Sequence, residues 1–77
     1  MNIIVYTKRG CPWCEALLKY LKDTSVSFEE REVLGNSIYF DEMVKLSNQS
    51  KAPTVVIDGK VFADTDKDEI SEVLKNQ

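Results

Sequence analysis

The chain has 77 residues, a formal net charge of −3, two cysteines and no histidine. This length suits one small domain, residues 1–77, and the acidic balance argues against nucleic acid as a main partner. The apolar stretches are too short to span a membrane, and the missing histidine excludes imidazole bases, Cys–His nucleophile pairs and histidine metal ligands.

The first part of the chain predicts a strand, a helix and a second strand. Residues 2–7 form a continuous apolar run, which is typical of a strand buried on both faces. A turn at residues 8–10 leads to a helix over residues 15–22, and Pro12 suits the first helical position because an N–H there has no intrahelical partner. Residues 26–33 are more polar and predict a strand near a sheet edge. The apolar stripe of the helix comprises Ala16, Leu17, Leu18 and Leu21.

A second helix and a third strand are predicted in the middle of the chain. Residues 35–37 look like a turn with a helix N-cap. Tyr39, Met43 and Leu46 then recur at helical spacing, which predicts that they lie on one face of a helix. Residues 54–57 are again a continuous apolar run and predict the third strand.

The last part of the chain predicts a hairpin and a third helix. Asp58-Gly59 is a strong signal for a two-residue turn, and it leads to a short strand at residues 61–63. The predicted order is β-α-β-α-β-β-α, which gives a four-stranded mixed sheet packed by helices. The final amphipathic helix has Asp66 or Asp68 near its start and carries Ile70, Val73 and Leu74.

Cys11-Pro12-Trp13-Cys14 lies between the first predicted strand and the first predicted helix. Two cysteines at this spacing can close a small disulfide, and a helix N-terminus favours the thiolate of the first one. Beside a βαβ pattern, this motif indicates thiol–disulfide redox chemistry. The alternatives are an inert thiol pair or half of a zinc site, but zinc normally takes four ligands and the chain offers no further cysteine or histidine.

With these features the sequence resembles the glutaredoxin family of the thioredoxin fold, nearly end to end. The resemblance is carried by Tyr6-Thr7-Lys8, by the Cys11 to Cys14 motif, and by the segment Ala52-Pro53-Thr54-Val55-Val56-Ile57-Asp58-Gly59-Lys60. It implies an α/β, thioredoxin-like fold in which a four-stranded mixed sheet is flanked by three helices.

The resemblance also implies roles for individual residues. Cys11 is expected to be the nucleophile and Cys14 the resolving thiol. Pro53 is expected to be cis, with Ala52 offering its backbone to a substrate strand opposite Cys11. Trp13 is expected to be exposed beside the reactive thiol and to contact a partner or ligand. The expected substrate or glutathione contacts are Lys8, Trp13, Ala52, Pro53, Thr65 and Asp66, with Lys8 near the glutathione carboxylate and Thr65 and Asp66 at its γ-glutamyl end.

The sequence departs from the glutaredoxin pattern in two segments, and both bear on which reductant the protein uses. Glutaredoxins usually have a Gly-Gly pair where this chain has Ala63-Asp64. The residues before the proline are Lys51-Ala52 rather than the frequent Thr-Val, and this junction resembles NrdH-type redoxins, which accept electrons from thioredoxin reductase. The Pro-Trp between the cysteines is closer to glutaredoxin.

The sequence therefore predicts a small dithiol oxidoreductase that reduces protein or glutathione mixed disulfides. One alternative is an NrdH-like electron donor reduced by thioredoxin reductase, and another is a glutathione-dependent iron–sulfur module. We expect no bound cofactor and no metal, with glutathione as reductant or co-substrate. The expected partners are disulfide-containing proteins and either glutathione or a flavin reductase, and the expected state is a monomer. The chain shows no signal-peptide pattern and few cysteines, so we expect a cytoplasmic protein.

Overall fold

A computed structural model describes residues 1–76 of the chain and contains four strands and three helices within that range. The strands form one mixed sheet in the order β2-β1-β3-β4, so the expected thioredoxin-like architecture is confirmed. The strands are β1 (Ile3–Thr7), β2 (Glu29–Glu32), β3 (Thr54–Ile57) and β4 (Lys60–Phe62), and the helices are α1 (Pro12–Asp23), α2 (Ser37–Ser47) and α3 (Lys67–Lys75).

Strand β1 lies inside the sheet, parallel to β2 and antiparallel to β3. The continuous apolar sequence of β1 and β3 follows from this position, because a central strand packed by helices on both faces has no solvent side. The polar β2 is an edge strand, as its sequence predicts. Since β3 pairs with β4 antiparallel, the ends of β1, β2 and β4 and the start of β3 all lie at one end of the sheet. We call this the cysteine end, because α1 and its two cysteines begin there.

Hydrophobic side chains form a core on each face of the sheet. On one face α1 and α3 pack against the central strands, and on the other face α2 does so. The buried residues of the first core are Ile3, Val5, Leu17, Leu21, Val55, Ile57 and Ile70, and those of the second are Tyr6, Val33, Met43 and Val56.

A polar cluster around Arg31 joins α2 to the sheet. The Arg31 guanidinium lies over the Tyr6 and Tyr39 rings, 5.9 and 5.4 Å from their centroids. It donates to the Glu42 carboxylate at 2.6 Å and to the Tyr6 hydroxyl at 3.3 Å. Burial, and then the hydrogen bond to Glu42, raises the pKa of Tyr6 above its ordinary value. The cluster satisfies the polar atoms that this face of the sheet buries.

Four sequence predictions need correction. Strand β4 covers Lys60–Phe62 rather than residues 61–63. Strand β2 covers only Glu29–Glu32 rather than residues 26–33. Ala16 is exposed although it was grouped with the buried stripe of α1. Leu46 is 48% exposed, although its spacing places it on the face of α2 that carries the buried Met43. The Asp58-Gly59 turn is present, with φ of 49° and 86°. Among residues 1–76, no helix has the length and apolar character needed to cross a bilayer.

Candidate functional site

The chain leaves β1 at Thr7 and reaches the first cysteine through one tight turn. The N–H of Cys11 donates to the Lys8 carbonyl at 3.3 Å, which closes the turn. Gly10 has a φ of 74°, a conformation that glycine adopts at little cost. Cys11 then takes the N-cap position of α1 with extended backbone, and Pro12 follows at the start of the helix.

The Cys11 sulfur lies over the first turn of α1. It accepts the backbone N–H of Cys14 at 3.2 Å, the hydrogen bond that a serine or aspartate oxygen makes at an ordinary N-cap. Cys11 is half-buried, so its sulfur remains reachable from solvent. The N–H donor and the positive end of the helix dipole both stabilise a negative charge on this sulfur. This geometry supports the sequence assignment of Cys11 as the nucleophile.

Cys14 has the opposite environment. It is only 1% exposed. Burial, followed by its hydrogen bond with the Cys11 side chain, raises the pKa of Cys14 to about 12, although a backbone hydrogen bond from Lys8 acts in the other direction. Cys14 is therefore a protonated thiol at neutral pH, buried by the protein and adjacent to the Cys11 sulfur.

The segment before β3 faces Cys11. The Ala52–Pro53 peptide bond is cis, as the resemblance implies. The Ala52 carbonyl is 4.0 Å from the Cys11 sulfur. The Pro53 carbonyl accepts the N–H of Thr65 at 2.9 Å, which fixes the loop after β4 against the loop before β3.

A groove of about 140 Å³ runs beside the reactive cysteine. Its wall includes Trp13, which is 68% exposed, as the sequence predicts. Five of the six expected substrate contacts line this groove, and Lys8 is outside the lining. Asp64, the residue that replaces a family glycine, is the sixth wall residue. The lining consists of Trp13, Ala52, Pro53, Asp64, Thr65 and Asp66.

The acidic wall of the groove is held by α3. Asp66 is the N-cap of α3, and its Oδ1 accepts the N–H of Glu69 at 2.9 Å. The Thr65 hydroxyl donates to the Glu69 carboxylate, so the side chain of Thr65 is bonded within the protein. Asp64 is exposed and has a φ of 50°, a left-handed conformation that aspartate tolerates but glycine prefers.

Glu32 is a site residue that sequence reasoning did not identify. Its carboxylate accepts the backbone N–H groups of Arg9 at 3.0 Å, Leu34 at 2.9 Å and Gly35 at 2.7 Å. The Arg9 side chain adds an ion pair at 4.0 Å. A Cβ at Gly35 would lie 3.1 Å from the Glu32 carboxylate, so glycine permits this close approach. Glu32 thus connects the turn before Cys11 to the turn between β2 and α2.

The lowered pKa of Glu32 reflects a balance of opposing effects. Desolvation pushes the pKa up, but the N–H groups of Leu34, Gly35 and Arg9, together with the Arg9 charge, more than offset it. No local sequence signal indicates this role for Glu32, because an acidic residue at the end of a polar edge strand is ordinarily solvated. Among residues 1–76, no group of three histidine, cysteine or acidic residues is arranged to hold a metal ion.

The chain is similar in sequence to known glutaredoxins. A family model described as Glutaredoxin matches residues 3–62. An uncharacterized glutaredoxin-like 8.6 kDa protein from the rubredoxin operon of Clostridium pasteurianum is 33% identical over 73 residues, which is 95% of this chain and 97% of that protein. Glutaredoxin 3 of Escherichia coli K12 is 36% identical over 59 residues, covering 77% of this chain and 71% of that protein.

Solved structures agree on the fold. The thioredoxin-like protein BC3987 superposes with a TM-score of 0.84 at 31% identity, covering 92% of this chain and 97% of that one. The glutaredoxin-like protein NrdH-redoxin of Escherichia coli superposes with a TM-score of 0.77 at 20% identity and 95% coverage of both chains. At 20% identity, the similarity to NrdH-redoxin shows a shared fold alone.

We predict that iodoacetamide at pH 8 labels Cys11 and spares Cys14. A thiol with a pKa of about 12 is thiolate in only about one molecule in ten thousand at that pH, and burial further limits access. Peptide mass spectrometry should therefore show labelling of Cys14 at least 100-fold slower than that of Cys11. Comparable labelling of both cysteines in the folded protein would contradict the assigned environments.

We also predict that Glu32→Gln destabilises the protein at pH 7 and has little effect at acid pH. Because folding lowers the pKa of Glu32, its contribution is complete above the unfolded-state pKa of about 4.3 and is lost as pH falls through the folded-state pKa. Urea unfolding should show a midpoint gap between wild type and Glu32→Gln at pH 7 that closes toward pH 3. Glu72→Gln, an exposed change on α3, is the control, and a gap of equal size at both pH values would refute the prediction.

Proposed function

The chain belongs to the glutaredoxin family, and we propose that it is a dithiol reductase of disulfides in proteins and of mixed disulfides. The observation that carries this proposal is the hydrogen bond from the Cys14 N–H to the half-exposed Cys11 sulfur at 3.2 Å. It supports a stabilised nucleophile with a protected second thiol one helical turn away.

The proposed reaction proceeds in two exchange steps. The Cys11 thiolate attacks one sulfur of the substrate disulfide, a mixed disulfide forms, and the other substrate sulfur leaves as a thiolate. Cys14 then loses its proton to solvent and attacks the Cys11 sulfur. The Cys11–Cys14 bond forms, the mixed disulfide breaks, and the substrate leaves as a second thiolate that takes up a proton. The substrate gains two electrons, and an external thiol or a flavin reductase must return two to the protein.

We predict different outcomes for the two cysteine variants. Cys11→Ser should abolish disulfide reduction, because the exposed nucleophile is lost. Cys14→Ser should accumulate a mixed disulfide on Cys11, since no second thiol resolves it. Intact-mass spectrometry after mixing with a disulfide substrate distinguishes these results. Equal residual activity in the two variants, with no trapped adduct in Cys14→Ser, would contradict the assigned roles.

We further propose that glutathione is a poor reductant for this protein and that a flavin reductase of the thioredoxin reductase type serves it better. The support is Asp64, an exposed acidic residue in the wall of the groove that also includes Ala52 and Pro53. Glutathione carries a net negative charge at neutral pH. Two like charges about 4 Å apart repel by about 1 kcal/mol in water and by several times that in a partly desolvated site. About 1.4 kcal/mol of repulsion corresponds to tenfold weaker binding.

Two variants at Asp64, with a control variant at Asp58, test the effect of Asp64 on glutathione use. We expect Asp64→Asn to raise the rate with glutathione and glutathione reductase several-fold, because it removes the charge and keeps the side-chain volume. Asp64→Gly should raise it further, to about tenfold, since glycine also permits close backbone approach. Reduction by dithiothreitol should not change in either variant.

Asp58→Gly is the matched control, because Asp58 is also an exposed aspartate at positive φ, 49°, but lies at the hairpin away from the groove. An unchanged glutathione rate in both Asp64 variants would show that this carboxylate does not affect glutathione. NADPH oxidation with thioredoxin reductase alone, measured in parallel, tests the preferred reductant.

Three further expectations also stay predictions. They are a cytoplasmic location, a monomeric state, and the alternative that the protein is a glutathione-dependent iron–sulfur module. Visible absorbance of the aerobically purified protein tests the iron–sulfur alternative, because a bound cluster gives a brown colour.

A further inference from the structure

Three of the five large hydrophobic residues that are exposed among residues 1–76 follow the cysteine end of β1 or β2 in the chain. These five exposed residues are Met1, Trp13, Leu34, Ile38 and Leu46. Met1 lies at the opposite end of the sheet, and Leu46 lies in the last turn of α2. Trp13, Leu34 and Ile38 follow the cysteine end of β1 or β2. An exposed hydrophobic cluster next to a reactive group is a common mark of an interaction site.

Leu34 and Ile38 are 52% and 68% exposed and lie in the segment from the end of β2 to the first turn of α2; we call this pair the shoulder. The backbone beneath it is held by hydrogen bonds. Glu32 accepts the N–H of Leu34 at 2.9 Å, and the Asn36 side chain accepts the N–H of Ile38 at 3.0 Å as the N-cap of α2. The two side chains are thus presented on a fixed backbone, which lowers the entropy cost of binding.

The shoulder is also fixed relative to Cys11. Glu32 bonds the N–H of Arg9 as well as that of Leu34, so one carboxylate holds both turns. The Val33 N–H donates to the Thr7 carbonyl at 2.8 Å, which adds a second connection. A partner seated on the shoulder would therefore meet the Cys11 sulfur in a defined orientation.

The strand order places the shoulder and the groove on opposite sides of Cys11. The shoulder follows β2, Cys11 follows β1, and the groove is built around the start of β3 and the end of β4. Adjacent strands are about 4.8 Å apart, so a polypeptide segment is long enough to contact the shoulder while its disulfide lies at Cys11. The Arg9 side chain, which is 70% exposed and lies at the turn joined to the shoulder, favours a carboxylate on that segment.

We propose that Leu34 and Ile38 bind an apolar side chain of a disulfide-bearing polypeptide, and that Arg9 attracts a carboxylate of the same segment. This inference rests on the proposed reductase function and specifies its substrate as a protein segment with an apolar and an acidic residue beside the cysteine. Small disulfides do not reach the shoulder and do not depend on it.

The test uses thionitrobenzoate mixed disulfides, whose reaction releases a coloured thiolate. Three short peptides carry leucine and glutamate, serine and glutamate, or leucine and lysine beside the cysteine, and mercaptoethanol gives the small reference. Second-order rate constants are measured with the reduced wild type, with the Leu34→Gln/Ile38→Gln double variant, and with Leu46→Gln as a matched control for an exposed leucine on α2. Sedimentation velocity of each protein is measured over a range of concentrations.

The proposal predicts that wild type reacts with the leucine–glutamate peptide about fivefold faster than with the serine–glutamate peptide, a preference expected for partial burial of one leucine. The double variant should lose this preference and keep the mercaptoethanol rate, while Leu46→Gln behaves as wild type. The leucine–lysine peptide should react more slowly than the leucine–glutamate peptide, and Arg9→Gln should remove that difference.

Other results overturn the inference in identifiable ways. If wild type and the double variant prefer the leucine–glutamate peptide to the same extent, Leu34 and Ile38 do not bind its apolar side chain. If the charge of the peptide does not change the rate constant, Arg9 does not attract its carboxylate. A fall of the mercaptoethanol rate in the double variant would mean that the shoulder acts on Cys11 itself. Self-association of wild type that the double variant loses would assign the shoulder to a second copy of the chain. Failure of wild type with every disulfide, the reference included, would instead refute the proposed reductase function.

Discussion

The hydrogen bond from the Cys14 N–H to the Cys11 sulfur is the interaction on which the rest of the site depends. It joins the two cysteines through the first turn of α1 and gives them opposite environments. The sulfur at the N-cap receives the helix dipole and remains accessible, whereas the thiol one turn later is buried and keeps its proton. The two residues are of the same type, and their different environments thus come from their positions at one helix terminus.

The sheet converts this local feature into a surface with two different sides. Because β1 is internal, its end carries Cys11 between the ends of neighbouring strands. One side holds the acidic groove at Asp64 and Asp66, and the other holds the shoulder and the exposed cation of Arg9. We propose that the acidic side disfavours glutathione as the reductant and that the other side binds a segment of a protein substrate. The two proposals therefore concern different partners that approach the same Cys11 sulfur from opposite sides.

Much of the fold could be predicted from the sequence, because the decisive signals are local. The apolar runs of β1 and β3, the Asp58-Gly59 turn and the helix with Pro12 at its start each fall within a few residues. The prediction was wrong where burial depends on distant packing. Val26 and Phe28 have strand-like composition, yet they pack against the core from outside the ladder. Leu46 fits a helical stripe, yet its side chain remains 48% exposed.

The sequence by itself determined the redox motif, the order of the elements and the position at which the chain departs from its family, since each depends on residue types at short spacing. Only the tertiary structure decided that Asp64 lines the groove, that Glu32 holds the turn before Cys11, and that Leu34 and Ile38 remain uncovered. The physical reason is sequence separation. Glu32 and Arg9 meet because β2 pairs with β1, and no local pattern encodes that pairing. The Asp58-Gly59 turn does predict that β4 pairs with β3, but it does not predict which residues beyond the hairpin come to lie beside Pro53.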